Sequence, residues 1–286
     1  MSLSAELAGQ ILEFVEKNRG SIPVWDKTTN RVSALLSHEK ASVKELTDLI
    51  ETDPVLATRI LNQANSPAYA GAVKMKTIDR AIMRLGFETV RNLFLTSMLK
   101  DIFKPKHPIL KECYKIWWKH SLSCAVGSRS LAEHIGKGEI AGEAYLIGLL
   151  HDMGVVVILT AIDHFCKDGE MVDEIGDAAL REFIHETHAR IGASVLSSMH
   201  FDGKIQKIVA THTTPDDYET QTDLLFNILQ VENNLLAKTG ITLHPNPGLS
   251  IMNLPYTQFL NLDPVFVALQ EVEIEDSLEN LEQLLA

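Results

Sequence analysis

The 286-residue sequence predicts an all-α protein. Apolar residues recur three and four positions apart along most of the chain, which is the spacing of one helix face. The segments with this spacing begin and end at helix-capping residues, and the alternating pattern typical of strands is nearly absent. We expect an N-terminal helical lobe over residues 1–106, a second helical lobe over 107–240 and a C-terminal extension over 241–286.

Capping signals divide the start of the chain into helices. An opening helix over residues 3–15 and a second around 32–36 are predicted from apolar spacing. Ser42 and Glu45 form a capping-box sequence, in which each side chain bonds the other residue's backbone. The helix that they begin should run to about Glu51.

Three more helices are expected in this half. Asp53-Pro54 places an N-cap aspartate before a first-turn proline, and the helix should stop near 65–67, because the residue before a proline resists helical geometry. The next two helices cover 77–86 and 87–103. Their junction loosely resembles nucleic-acid-binding helical hairpins, but the acidic balance favours a packing turn. Polar residues that could line a cleft, but more often end a helix, are Asn62, Asn65 and Ser66.

The second half contains longer helices. The apolar run from Tyr145 to Ile162 carries His151-Asp152 in its middle, so we interpret it as buried core and not as a membrane span. The acidic tail could be a strap or a homodimer element. The expected helices are 108–134, 141–150, one that reaches 185–192, 222–238 and the tail helix 271–285.

Composition and charge limit the classes of function. A formal net charge of -12 and an isoelectric point near 5.4 disfavour nucleic acid as the main partner, because phosphate binding needs a basic surface. Cys113, Cys124 and Cys166 have no metal-type spacing, and no signal-peptide pattern is seen, so a reduced, cytoplasmic compartment is expected. No catalytic serine or cysteine arrangement is visible.

The pair His151-Asp152 is the clearest candidate site. A neutral imidazole beside a carboxylate oxygen suits a divalent metal, and a carboxylate in an apolar core needs a cation, a basic partner or a hydrogen-bond network. His120, His188 and His212 recur on successive helices, which can direct such residues into one pocket. Small residues that allow close helix packing follow His188. The histidines that we interpret as structural are His107, His134, His164, His200 and His244.

Eight segments in this order carry a family resemblance: Ile22-Pro23, Leu49–Leu56, Ile60–Ser66, Ile78–Gly86, Trp118–Ser121, Gly148–Gly154, His188–Ala193 and His212–Pro215. On these segments the chain resembles the HDOD domain, a bacterial signalling module related to the HD superfamily of metal-dependent phosphohydrolases and to HD-GYP phosphodiesterases. The resemblance covers about residues 22–240. It implies an HD-like multi-helical lobe packed with an N-terminal helical lobe.

The resemblance also implies a divalent metal, such as Fe, Mn, Zn or Mg. The HD superfamily holds it with a first histidine, the His-Asp pair and a later aspartate, and His120, His151 and Asp152 fill the first three places. His188 and His212 look like the two histidines that help to hold a second metal in binuclear relatives.

Two positions depart from the relatives that hydrolyse cyclic dinucleotides. Those relatives have two adjacent histidines where this chain has His212-Thr213. The last aspartate is expected on helix 222–238, where the best-aligned position holds Glu232, beside Asn233. Glutamate can bind a metal, but its extra methylene moves the carboxylate. No GYP-type motif follows the His-Asp pair, so we expect a metal to bind while hydrolysis is lost.

The sequence leaves several functions open. The departures favour a non-catalytic HDOD signalling module that binds a signalling protein in trans or a small nucleotide ligand. The alternative is a metal-dependent phosphohydrolase acting on a nucleotide or cyclic (di)nucleotide, with His151 and Asp152 at its catalytic centre. A third account makes the pair a structural network in which Asp152 accepts from a neighbouring histidine. Surface residues that could neutralise a phosphate, but are more often solvated, are Lys119, Arg190 and Lys204.

Overall fold

The computed structural model describes residues 9–11, 13–14, 17, 42–67, 69, 73–100, 103–165, 176–199, 201–217, 222–270 and 272. These residues are helical wherever they have regular structure, and no strand occurs among them, which confirms the all-α prediction. Most of the predicted opening helix, the helix around 32–36, Cys166, His200 and nearly all of the acidic tail lie outside the described residues.

The described helices follow the predicted order. The N-terminal lobe contains α1 (Val43–Glu51), α2 (Pro54–Ala64), α3 (Ile78–Leu85) and α4 (Phe87–Lys100). The second lobe contains α5 (Pro108–His134), α6 (Ala141–Leu150), α7 (Met153–Phe165), α8 (Asp177–Ser198), α9 (Gly203–Thr211) and α10 (Leu224–Thr239), and the short α11 (Pro255–Phe259) comes after it.

The helix ends form as their capping residues predict. Ser42 and Glu45 make the reciprocal bonds of a capping box at the start of α1, and the Asp53 carboxylate accepts two backbone N–H bonds at the start of α2. Helix α10 begins at Leu224, two residues later than predicted, because Asp223 acts as its N-cap. Helix α4 is described as far as Lys100; residues 101 and 102 of the predicted helix lie outside the described residues, and Phe103 is not helical.

Asn65 ends a helix, which is the more common role that the sequence predicts for such residues. Its amide donates to the carbonyls of Leu61 and Met75, and its Oδ1 accepts from the Met75 N–H at 2.7 Å. Arg84 on α3 holds the same loop, since it donates to the Val73 carbonyl at 2.6 Å. These bonds fix the connection between α2 and α3.

The two lobes meet where α4 packs against α6. The Tyr145 hydroxyl lies 2.8 Å from the Thr96 hydroxyl in a buried contact, and the Asn92 amide donates to the Gly142 carbonyl at 3.3 Å. Buried polar groups need such partners, so these bonds specify how the lobes pack together.

Helix α5 is the axis of the second lobe and packs along α6, with α7 and α10 also against it. Gly148 allows the close approach to α6, because a Cβ there would lie only 2.6 Å from the Cys124 carbonyl oxygen. Among the described residues, one stretch, Gly138–His164, is long and apolar enough to cross a membrane, and 89% of its most apolar window is buried in the protein. This supports its interpretation as core.

The chain after α10 packs back onto the second lobe. Helix α11 contacts α10. The buried amide of Gln270 donates to the Gly127 carbonyl on α5 at 2.9 Å and to Oε1 of Glu232 on α10 at 3.1 Å. The residues assigned to the C-terminal extension therefore share a core with the lobe before them.

Candidate metal centre

Five predicted site residues meet at the centre of the second lobe. His120 comes from α5, His151 and Asp152 lie at the junction of α6 and α7, His188 comes from α8, and His212 directly follows α9. All four imidazoles are buried, whereas the Asp152 side chain keeps 16% of its surface exposed. The carboxylate is therefore the most exposed part of the cluster.

A crossing of α7 and α8 places His188 beside Asp152. A Cβ added to Gly154 would lie 1.9 Å from the carbonyl oxygen of His188, and one added to Gly192 would lie 3.1 Å from the Gly154 nitrogen. Glycine at both positions lets the backbones touch. The small residues after His188 thus have the packing role that the sequence predicts.

The Nε2 atoms of the histidines converge on the Asp152 carboxylate. Oδ1 lies 3.1 Å from Nε2 of His188, 3.2 Å from that of His212 and 3.4 Å from that of His151, and Oδ2 lies 3.5 Å from Nε2 of His120. The Nε2 atoms also pair at 3.1 Å, His120 with His151 and His188 with His212.

Each Nδ1 atom of these histidines bonds a backbone carbonyl. A carbonyl only accepts, so each Nδ1 carries the proton, and the neutral ring has a bare Nε2 lone pair that points into the cluster. Two bare nitrogens 3.1 Å apart cannot bond each other, so they need a proton or a cation between them. The four bonds are His120 to Ile241 at 2.7 Å, His151 to Gly148 at 2.8 Å, His188 to Ile184 at 2.7 Å and His212 to Val209 at 2.7 Å.

The electrostatics keep two of the imidazoles neutral. Burial lowers the pKa of His120, and it lowers the pKa of His151 to about 3. Burial acts in the same direction on His188, but the negative charge of Asp152, its hydrogen bond to the ring and the backbone hydrogen bonds together outweigh burial and raise the pKa of that ring. Burial opposes ionisation of Asp152, but the nearby histidines, His151 and His188 foremost, hold its pKa well below 3.8.

The cluster divides into two sets of three donors. The first donor set is His120, His151 and Asp152, and the second is Asp152, His188 and His212; within each set the ligand atoms lie within 4.8 Å of one another. Neutral imidazoles held by an outer hydrogen bond, together with a carboxylate, are the donors that Zn, Fe and related divalent ions take. The residues present therefore fit a metal centre with Asp152 common to both sets.

A small pocket lies over the Asp152 side of the cluster. Its volume is about 130 Å³. Trp117 lies in its wall and donates from Nε1 to the Asp152 carbonyl at 2.8 Å, and Gln230 donates to the His212 carbonyl at 2.9 Å. Besides the cluster residues the lining consists of Trp117, Val155, Ile184, His185, Thr213, Asn233, Asn234, Ala237, Thr242, Leu243 and His244.

The structure does not bring Glu232 into the cluster, which corrects its assignment as a ligand. Asn233, Asn234 and Ala237 are the residues of this helix that line the pocket, and Glu232 points about 100° away from Asn233 around the axis, on the side away from Asn234. Its carboxylate is fully buried and accepts from Gln270, on the C-terminal side of the lobe.

Two histidines at the pocket were not predicted as site residues of the cluster. His244, interpreted as structural, and His185 both line the pocket, with ring centroids 4.4 Å apart. His185 could have been found from its position three residues before His188, on the same helix face. His244 lies in a non-helical segment and has no such signal. Lys119, Arg190 and Lys204 are exposed and do not line the pocket, and Lys204 pairs with Asp223 at 2.9 Å.

Comparison with known proteins agrees with this architecture. The family model described as the HDOD domain matches residues 22–215. An HDOD domain protein of unknown function from Geobacter sulfurreducens aligns with a TM-score of 0.66 at 18% identity, over 98% of this chain and 97% of that one. A Shewanella amazonensis SB2B protein, named as a metal-dependent phosphohydrolase, aligns with a TM-score of 0.68 at 20% identity, over 98% of both chains.

A third solved structure and two curated sequences are also similar. A Marinobacter aquaeolei VT8 protein, named as a signal transduction protein, aligns with a TM-score of 0.66 at 21% identity, over 99% of this chain and 67% of that one. YuxH of Bacillus subtilis, an uncharacterised protein, is 26% identical over 51% of this chain and 34% of its own length. An uncharacterised protein of Treponema pallidum is 21% identical over 76% of this chain and 42% of its own length. The chain thus spans less than half the length of these two relatives.

Proposed function

The chain belongs to the HDOD family, and from this premise we propose that it is a bacterial, cytoplasmic signalling module that binds divalent metal without hydrolysing a substrate. In this proposal it acts by binding a signalling protein in trans or a small ligand at the metal centre. The observation that carries the metal part is the set of four Nε2 atoms directed at one carboxylate.

The donor geometry supports metal binding in preference to a structural network alone. His120, His151 and Asp152 would hold one ion, and Asp152, His188 and His212 a second. Each imidazole is already held in the tautomer and orientation that a metal requires, because its Nδ1–H bonds a carbonyl. A network without metal would have to place protons between nitrogens of rings such as His151, whose pKa burial lowers to about 3.

The pocket supports binding in preference to hydrolysis of a cyclic dinucleotide. Pockets that enclose drug-sized ligands measure about 300–1,000 Å³, whereas this pocket measures about 130 Å³. Among the described residues, Asp152 is the only acidic one in its lining, and that carboxylate is needed by both donor sets. No second carboxylate among the described residues lines the pocket to act as a general acid or base.

The alternative function is a metal-dependent phosphohydrolase acting on a nucleotide or cyclic nucleotide. The same donor sets favour it, since divalent ions bound there would supply Lewis-acid polarisation of a phosphate. His185 and His244, which lie at the pocket, would then be the groups available to hold or move a proton near a substrate.

Elemental analysis of the purified protein, followed by phosphodiesterase and phosphomonoesterase assays with added manganese or iron, tests the proposal. We expect close to two ions per chain, a loss of both in Asp152→Ala, and no turnover of any nucleotide. Turnover that disappears in His151→Ala and Asp152→Ala would establish the hydrolase instead. Metal-free protein in which Asp152→Ala only lowers the melting temperature would establish the structural network.

A further inference from the structure

Residues 241–244 follow Gly240, the C-cap of α10, and three of them line the metal pocket. We call them the roof segment. Thr242, Leu243 and His244 line the pocket from this side, and the segment has no helical structure. It lies beyond residues 22–215, which the family model matches. The family match therefore gives no information about this segment, and we explain its position from its contacts.

Both ends of the roof segment are tied to histidine side chains. At one end, Nδ1 of His120 donates to the Ile241 carbonyl at 2.7 Å. At the other, Nε2 of His244 donates to the Arg181 carbonyl on α8 at 2.9 Å, while its ring lies 4.4 Å from that of His185. The roof segment thus joins α5 to α8 across the pocket.

His120 differs from the other three histidines in how it is oriented. His151, His188 and His212 donate to carbonyls three or four residues earlier, within or at the end of their own helices. The carbonyl that orients His120 is 121 residues away in the chain, in the roof segment. Helix hydrogen bonds fix the first three partners. The fourth is held at one end by the Ile241 N–H, which donates to the Leu236 carbonyl of α10 at 2.9 Å, and at the other end of the roof segment by the contact of His244 with α8.

The outer partner of a metal-ligating histidine sets its tautomer, its ring orientation and its basicity, and loss of such a partner costs about 10- to 100-fold in metal affinity. A shift of the roof segment would move the Ile241 carbonyl and affect His120 alone among the four imidazoles. It would weaken the first donor set and leave the second intact.

We propose that His244 is a positioning residue of the metal centre, which anchors the roof segment and thereby orients His120. This inference rests on the proposed metal binding and adds how one half of the centre is controlled. Binding and anchoring are reciprocal: release of the roof segment weakens metal binding at the first donor set, and metal there steadies the roof segment.

Cobalt titration of metal-free protein tests the inference, with calorimetry for affinity and visible absorption for the coordination environment. We expect wild type to bind two Co²⁺ ions. His244→Ala should weaken one ion by about 10-fold or more and change its absorption band, with the other ion unchanged. His244→Gln, whose amide can still donate to the Arg181 carbonyl, should recover most of the affinity.

His134→Ala is the matched control. This histidine is partly exposed, stacks on Phe266 with ring centroids 3.6 Å apart and does not line the pocket, so both affinities should stay at the wild-type values. Hydrogen exchange of the backbone amides at 241–244 in wild type gives a measurement that needs no variant. Exchange there should slow when Co²⁺ is added.

The outcomes separate the inference from the proposed function. If wild type binds no cobalt, the metal centre itself is refuted, and the inference with it. If wild type binds two ions but His244→Ala does so equally well, the inference alone fails. Equal weakening of both ions without recovery in His244→Gln would show a general structural role and overturn it. Should His244→Ala not fold, unchanged amide exchange in wild type with and without Co²⁺ would also overturn it.

Discussion

The free energy of unfolding of wild type is predicted to fall as the pH rises because of Glu232, and Glu232→Gln should remove this fall. Glu232 is fully buried on α10, where Oε1 accepts from Gln270 and Oε2 has no hydrogen-bond partner among the described residues. Burial raises the pKa of this carboxyl from 4.5 to about 8, against the smaller opposite effect of the Gln270 bond. The folded protein therefore holds a neutral acid in its core at pH 7.

The sign and the size follow from proton linkage. The folded state binds the proton more tightly than the unfolded state does, so the resulting stabilisation is complete below about pH 4.5 and is lost as the pH rises through about 8. Between about pH 5 and pH 8 the loss is roughly 3–4 kcal/mol. Glutamine does not titrate, so this loss should be absent. The amide has no acceptor at the Oε2 position, and neither has the neutral carboxyl, so an unpaired donor remains in both proteins and the slope with pH, not the absolute stability, is diagnostic.

Urea unfolding followed by circular dichroism from about pH 5 to pH 8, with chelator present, measures these slopes. The other ionisable groups are the same in wild type and variant, so their contributions cancel in the difference between the two. The exposed Glu139, replaced by glutamine, is the matched control, and this variant should parallel wild type. If the free energies of unfolding of wild type and Glu232→Gln stay parallel over this range, the buried neutral carboxyl is refuted.

Two further substitutions test the packing. Gly154→Ala places a Cβ 1.9 Å from the His188 carbonyl oxygen, so α7 and α8 must separate. We expect the free energy of unfolding to fall by about 3 kcal/mol or more and metal binding to weaken, as measured by thermal unfolding and metal content. Gly203→Ala is the control, because nothing lies within 4 Å of its new Cβ. Tyr145→Phe removes the hydroxyl that donates to the Thr96 hydroxyl between the lobes. The free energy of unfolding, measured by urea titration, should fall by about 1 kcal/mol. An unchanged free energy would mean that this bond does not stabilise the lobe contact.

Much of the fold could be predicted because its signals are local. The capping box at Ser42 and the N-cap at Asp53 depend on neighbours within a few residues, and the helices form at these positions. That the histidines meet in one pocket could be expected only because neighbouring helices often direct side chains into a shared site. The close crossing at Gly154 and Gly192 that brings it about depends on tertiary contact.

Glu232 was wrongly predicted as a ligand, because an alignment that is one residue out along a helix selects the wrong helix face. A shift of one residue rotates a side chain by about 100°, which is enough to move it out of the pocket. Polar residues occur on more than one side of α10, Asn227 and Gln230 among them, so neither Glu232 nor Asn233 could be preferred from polarity alone. The contact of Glu232 with Gln270, 38 residues later, has no signal in the local pattern.

His244 was missed for a related reason, and its location bears on what the family match can say about function. The donor sets come from α5, from the α6–α7 junction, from α8 and from the end of α9, and all five donors lie within the matched residues 22–215. The other residues that line the pocket divide between the two regions: Trp117, Val155, Ile184, His185 and Thr213 lie within that match, and those from Asn233 to His244 lie beyond it. All five donors thus belong to the part of the chain that the family model matches, whereas α10 and the roof segment contribute walls of the pocket from outside it. A relative with the same five donors but a displaced roof segment would have room for a larger ligand, so the roof segment is where binding and hydrolysis should diverge among chains with this centre.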